Sequence, residues 1–174
     1  MRTAALHNLG CKVNSYETEA MQQLLEVAGY QIVPFHEKAD VYLINTCSVT
    51  NMADRKSRQM LHRARKQNPD AVVVAAGCYV QSASEELKKD LAVDVIIGNN
   101  KKQDLVEILE EYFQEKHQVH VIDIGNTQEY EELKISRIAD HTRAFLKVQD
   151  GCNQFCSYYS LYQGPGSQPP VRGR

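Results

Sequence analysis

Between residues 3 and 122, short apolar runs alternate with stretches whose apolar residues recur every three or four positions. The runs Thr3–Leu9, Gln31–Phe35, Val41–Thr46, Ala71–Ala76, Val93–Ile97 and Val119–Ile122 are mostly rich in Val and Ile. Their near-continuous hydrophobicity predicts strands of a sheet buried on both faces. Helices are predicted near 14–28, 50–67, 81–90 and 102–116. In the first, Asn14 stands where an N-cap is expected, with Glu17 three residues on and Gly29 past the end. Met21, Leu24, Leu25 and Ala28 supply its apolar stripe. Strand–helix alternation predicts an α/β domain with a doubly wound, mostly parallel sheet of flavodoxin-like order. One connection is short: only "HEKAD" (36–40) separates the second and third runs, fewer residues than a parallel crossover normally takes.

The pattern changes after residue 122. Residues 123–142 are polar and weakly periodic, which predicts a linker. "RAFLKVQ" (143–149) has the character of the first strand of another unit, but residues 164–174 hold three of the five prolines and three of the nine glycines. No core can be built from such a segment. The expected organisation is one domain over 1–122, a linker over 123–142, and over 143–174 the start of a further domain that is not completed. The abrupt change in composition suggests a truncated or frame-shifted product.

Composition narrows the function classes. A net charge of −2 implies no bulk polyelectrolyte partner, and 43% hydrophobic residues with 24% charged describe an ordinary globular chain. No apolar run reaches 18 residues and the N-terminus lacks a leader-like core, so a cytoplasmic address without membrane contact is expected. Five cysteines, widely spaced and odd in number, fit metal or redox chemistry better than a disulfide framework.

Cys11, Cys47 and Cys78 each follow a predicted strand and precede a predicted helix. Parallel strands all end on one sheet edge, so in a flavodoxin-like order the three thiols would meet there. A helix N-terminus beside each is expected to lower its pKa. Gly10 and Gly77, just before two of the thiols, would let the backbone turn tightly. Three thiolates are one short of a closed zinc site and suit a [4Fe–4S] cluster with one iron open. Against this stands the ordinary occurrence of free cysteines in cores.

Cys152 and Cys156 form "CNQFC" just after the run 143–149. A thiol three residues further on would complete C-x3-C-x2-C, the pattern that holds the cluster of radical S-adenosylmethionine enzymes, but position 159 is Tyr. Together with "LGCKVNSYE" (9–17), "INTCSVTNMADRKSR" (44–58), "GCYVQ" (77–81), "IIGN" (96–99) and "RAFLKVQDGCNQFCSY" (143–158), this segment resembles the methylthiotransferases. These are radical S-adenosylmethionine enzymes with two iron–sulfur clusters. "LGCKVN" looks most like the branch acting on N6-threonylcarbamoyladenosine at position 37 of tRNA, rather than the isopentenyladenosine or ribosomal-protein branches.

The resemblance implies that Cys11, Cys47 and Cys78 hold the first [4Fe–4S] cluster, and that Cys152 and Cys156 belong to the second, with Tyr159 in place of its third ligand. It implies S-adenosyl-L-methionine, an electron donor and the tRNA anticodon region as cofactor and partners of a full-length parent. In that parent a 5′-deoxyadenosyl radical abstracts hydrogen from C2 of the adenine, and the first cluster supplies sulfur. The family's partial barrel and RNA-binding C-terminal domain are missing from this chain, which is therefore expected to be inactive alone and to carry one cluster.

Other features weigh less. "RKSRQMLHRARK" (55–66) puts six Lys or Arg on one helix. Arg55, Arg58 and Arg63 are candidates for RNA phosphates, against a plain solvated face. The acidic residues of 104–115 read as solvated surface, Tyr16 and Tyr79 as packing, and Asn14 and Asn45 as turn caps or cluster neighbours. Two other function classes stay open: a flavodoxin-like module binding a nucleotide or flavin, and a structural zinc protein. No Gly-rich phosphate loop follows any strand, which weighs against the first.

Overall fold

The computed structural model describes residues 1–48, 50–98, 101–115 and 119–121, with two further short strands near the C-terminus. The elements run β1 (Thr3–Asn8), α1 (Lys12–Val27), β2 (Gln31–Ile32), β3 (Val41–Thr46), α2 (Asn51–Gln67), β4 (Val72–Gly77), α3 (Cys78–Ser82), α4 (Ser84–Leu87) and β5 (Val95–Ile97). A single 3₁₀ turn at Lys102–Asp104, α5 (Leu105–Glu115) and β6 (Val119–Val121) complete the series. The strands form one sheet of order β2-β1-β3-β4-β5-β6 in which every neighbouring pair is parallel. This is the expected flavodoxin-like winding. Beyond it, β7 (Gln149–Asp150) and β8 (Val171–Arg172) pair antiparallel.

Every residue of β3 and β4 is buried, as near-continuous apolar runs require of central strands. Alternate side chains feed two apolar layers. Val41, Leu43, Val72 and Val74 pack with Met21 and Leu25 of α1 and with Leu105, Ile108 and Leu109 of α5. Tyr42, Ile44, Val73 and Ala75 pack with Leu61 and Ala64 of α2, Tyr79 and Val80 of α3, and Leu87 of α4.

Four expectations change. The second strand is only Gln31–Ile32, because Val33 and Phe35 cover the α2 side of the sheet from a loop. A two-residue strand advances only about 7 Å. The loop can therefore return without a helix, passing the start of β1, where the Asp40 amide donates to the Thr3 carbonyl at 3.1 Å. The expected helix 81–90 is instead the two short helices α3 and α4, beginning at Cys78. The first helix begins at Lys12 with Cys11 as its N-cap residue, not Asn14. Its buried face is Asn14, Glu17, Ala20, Met21 and Leu25, while Ala28 is exposed. Gly29, at φ +87°, follows the helix in the left-handed region as expected.

Candidate metal centre

Cys47 directly follows Thr46 at the end of β3, and Cys78 directly follows Gly77 at the end of β4. Cys11 lies three residues past Asn8, the end of β1. Strands β1, β3 and β4 are adjacent and parallel, so the three cysteines share one edge of the sheet. All three are free thiols; Cys47 is buried, Cys78 half-buried and Cys11 exposed.

A polar scaffold joins their loops. Asn14, one turn into α1, donates from Nδ2 to the Thr46 carbonyl at 2.9 Å and to Asn45 Oδ1 at 3.3 Å. Asn45 Nδ2 returns a bond to the Asn14 carbonyl at 3.0 Å and reaches Thr18 Oγ1 at 3.1 Å. The Cys11 thiol donates to Asn14 Oδ1 at 3.4 Å. Both asparagines are thus clamps between strand ends, not the turn caps their residue type favours. The clamp explains the two glycines. A Cβ on Gly10 would stand 2.5 Å from Asn14 Cγ. One on Gly77 would run into Asn45 Oδ1 and lie 2.5 Å from the Thr46 carbonyl, at a φ of +95°. Cys47 is held from the other side: Ser57 of α2 accepts from its amide at 3.3 Å and donates to its carbonyl at 3.1 Å.

Burial pushes the Cys78 thiol up to about 11, and nearby Glu17, Cys47 and Cys11 push in the same direction, while Lys102 pulls it down. The expected lowering by a helix N-terminus does not hold here. Helix α3 has only five residues, and desolvation outweighs its dipole. The Cys47 and Cys11 contributions place each thiol within electrostatic reach of Cys78. To bind as thiolates all three must lose their protons at one half-buried edge, and a positively charged guest offsets their mutual repulsion. Among the described residues, no three His, Cys, Asp or Glu side chains are drawn together as a single metal ion would draw them. Three free cysteines at one sheet edge are a donor set whose chemistry fits a [4Fe–4S] cluster with one open iron.

Comparison with known proteins bears on this geometry. Residues 3–98 match the model of the "Uncharacterized protein family UPF0004". The chain belongs to this family. Its matched segment contains all three clustered cysteines. The chain is similar to the "Threonylcarbamoyladenosine tRNA methylthiotransferase MtaB" of Bacillus subtilis, at 45% identity over 91% of this chain and 35% of the relative. It is similar also to the MtaB of Aquifex aeolicus, at 41% over 88% and 38%. The "tRNA-2-methylthio-N(6)-dimethylallyladenosine synthase" of Ehrlichia canis is 30% identical over 91% and 37%. The chain thus spans about a third of the length of these curated relatives. The isolated REC domain of RcsB from Salmonella enterica serovar Typhimurium aligns with a TM-score of 0.48 at 11% identity, over 69% of this chain and 92% of that one.

Within this family member, Arg55, Arg58 and Arg63 are exposed on α2. Arg65 of the same basic run is not a candidate for a ligand. Its guanidinium donates to the carbonyls of Pro69 and Ala71, each at 2.8 Å, and pairs with Asp94. Tyr79 packs in the core and Tyr16 is half-buried. Of the acidic residues on α5, Glu107 and Glu111 are exposed, whereas Glu110 pairs with Arg2 at 2.9 Å. Cys152, Cys156, Tyr159 and the linker 123–142 lie outside the described residues. Among the described residues no helix is long and apolar enough to cross a membrane.

Three participants escape a reading of the sequence. Ser57 lies inside a polar helical run with nothing to mark it. Glu17 and Lys102 form a buried ion pair, Nζ to Oε2 at 2.5 Å, with Lys102 fully inaccessible. A signal existed for Glu17: positions 14, 17, 21 and 25 lie on one helical face, so extending the apolar stripe backwards buries two polar residues. Lys102 follows β5 with no such mark.

Proposed function

We propose that this chain is the cluster-holding N-terminal part of a tRNA methylthiotransferase. The parent adds a methylthio group to C2 of N6-threonylcarbamoyladenosine at position 37. Cys11, Cys47 and Cys78 hold a [4Fe–4S] cluster. The observation that carries this reading is the meeting of three free cysteines at the ends of three adjacent parallel strands. Its substrate is supported by the names of the relatives at 45% and 41% identity, both called threonylcarbamoyladenosine methylthiotransferases.

When bound, a cluster with three protein ligands supplies an open iron site through which sulfur is delivered. The chain's own residues shape that site. The Asn14–Asn45 clamp fixes the Cys11 loop against the end of β3, Thr46 donates from Oγ1 to the Ala76 carbonyl just before the Cys78 loop, and Ser57 fixes the backbone of Cys47. Exposed Cys11 gives the site its solvent-facing side, while Cys47 anchors it from within. Arg55, Arg58 and Arg63 face RNA phosphates near the anticodon. Cys152 and Cys156 belong to the second cluster, one thiolate short because position 159 is Tyr. S-adenosyl-L-methionine and an electron donor serve that second site in the parent, in the cytoplasm where tRNA is modified.

Anaerobic reconstitution tests the reading. The chain is expected to hold about four irons with matching sulfide. It should yield no 5′-deoxyadenosine from S-adenosyl-L-methionine under strong reductant. Bound zinc or flavin in place of iron would overturn the cluster assignment. About eight irons, or 5′-deoxyadenosine, would overturn the reading of Tyr159 as a broken ligand set.

A further inference from the structure

The Glu17–Lys102 pair is placed where a structural tie is not required. It joins the second turn of α1 to the 3₁₀ turn after β5, elements that already meet through the apolar layer of Met21, Leu25 and Leu105. Removing two charges from water costs more than the pair's attraction usually returns, so such pairs are weak devices for stability. Full burial also prevents Lys102 from touching RNA or any diffusing substrate. What remains within its electrostatic reach is the cysteine edge. The turn that carries Lys102 follows the end of β5, and β5 lies beside β4, whose same end carries Cys78, so the pair sits at the cysteine edge of the parallel sheet. Glu17 sits one turn beyond Asn14, which accepts the Cys11 thiol.

We propose that the buried Glu17–Lys102 pair sets the reduction potential of the group held by Cys11, Cys47 and Cys78, Lys102 favouring the reduced state and Glu17 opposing it. This rests on the cluster reading above. A cluster held by three thiolates carries net negative charge, and reduction adds one electron to it as one iron passes from ferric to ferrous. A buried ammonium stabilises that added charge; a buried carboxylate destabilises it. The pair is therefore a matched set of opposing charges, and cutting either one moves the potential in a direction fixed by sign.

The test is redox titration of the reconstituted chain with a low-potential one-electron reductant, followed by electron paramagnetic resonance. A Cys152→Ala/Cys156→Ala background restricts the signal to the first site. Glu17→Gln keeps an acceptor for Lys102 and is expected to raise the reduced-to-oxidised ratio at fixed potential by about tenfold, a shift of ~59 mV for a one-electron couple. Lys102→Met is expected to lower it by a similar factor. Leaving Glu17 buried without Lys102 risks the fold, so Glu17→Gln/Lys102→Met is the second variant, expected to fall between the two single variants. Failure of the background chain to bind iron and sulfide would overturn the cluster reading and this inference with it. Normal cluster loading with coincident titrations, or with both single variants shifted the same way, would overturn the inference alone.

Discussion

At the scale of single residues, the site depends on positions where no other side chain fits. Gly77 is required twice over, by its φ of +95° and by the Asn45 and Thr46 oxygens that a Cβ would meet. Gly29 has a similar φ of +87° but nothing within 4 Å of an added Cβ. Urea unfolding should separate the two causes. Gly29→Ala is expected to cost about 1 kcal/mol for the backbone alone. Gly77→Ala should cost roughly 3 kcal/mol as strain and overlap combine. Equal losses would mean that the Asn45 contact does not constrain the turn. Thiol chemistry gives a second check on the apo chain. With its pKa raised to about 11, Cys78 is protonated through neutral pH, and its reactivity should climb with pH until that value is passed. At pH 8 only about one Cys78 in a thousand is a thiolate. Exposed Cys11 should therefore be alkylated first, as read by peptide mass mapping, and Cys78 should lag. Cys78 reacting as fast as Cys11 would contradict the burial described. The sequence marked the two glycines as tight turns and the two asparagines as caps or cluster neighbours, but not the clamp that joins them. Asparagine is read as a cap because its side chain competes for nearby backbone amides, and only the fold shows that Asn14 and Asn45 spend theirs on each other's loops.

At the scale of elements, legibility followed hydrophobic continuity. Strands β1, β3 and β4 and the cysteines at their ends could be placed because buried parallel strands have little room for polar residues. Strand β2 was drawn too long for the converse reason. Val33 and Phe35 are apolar because a loop, not a helix, covers part of the second layer, and periodicity cannot separate those cases. Helix α2 divides by face. Ser57 bonds both the amide and carbonyl of Cys47 from its buried side, so Ser57→Ala should cost about 1–3 kcal/mol by leaving those groups unpaired. Arg55, Arg58 and Arg63 are exposed on the same helix, and Arg58 has only a loose pairing with Glu86 at 3.9 Å. Reversing all three to Glu should leave stability within about 0.5 kcal/mol per site. In the full-length parent it should weaken tRNA binding and reduce the salt slope by about one per lost phosphate contact. Unchanged affinity and slope would make this an ordinary solvated face.

For the whole molecule, a parallel sheet converts sequence separation into proximity. Cys11, Cys47 and Cys78 are 36 and 31 residues apart along the chain, yet the order β1-β3-β4 sets them side by side. The repeated strand–cysteine–helix order foretold that meeting, because all strands of such a sheet end on one edge. The charge beneath the edge was not foretold, since a lysine after a fourth strand and a glutamate inside a helix carry no shared spacing. The central claim is that these three thiols, and not the pair at Cys152 and Cys156, hold the cluster. Iron and sulfide analysis after anaerobic reconstitution of Cys11→Ala, Cys47→Ala, Cys78→Ala and Cys152→Ala/Cys156→Ala tests it most directly. Each of the first three variants is expected to lose most of its iron, and the double variant to keep nearly all of it. Retention of iron by any of the three single variants, or its loss from the double variant, would contradict the assignment.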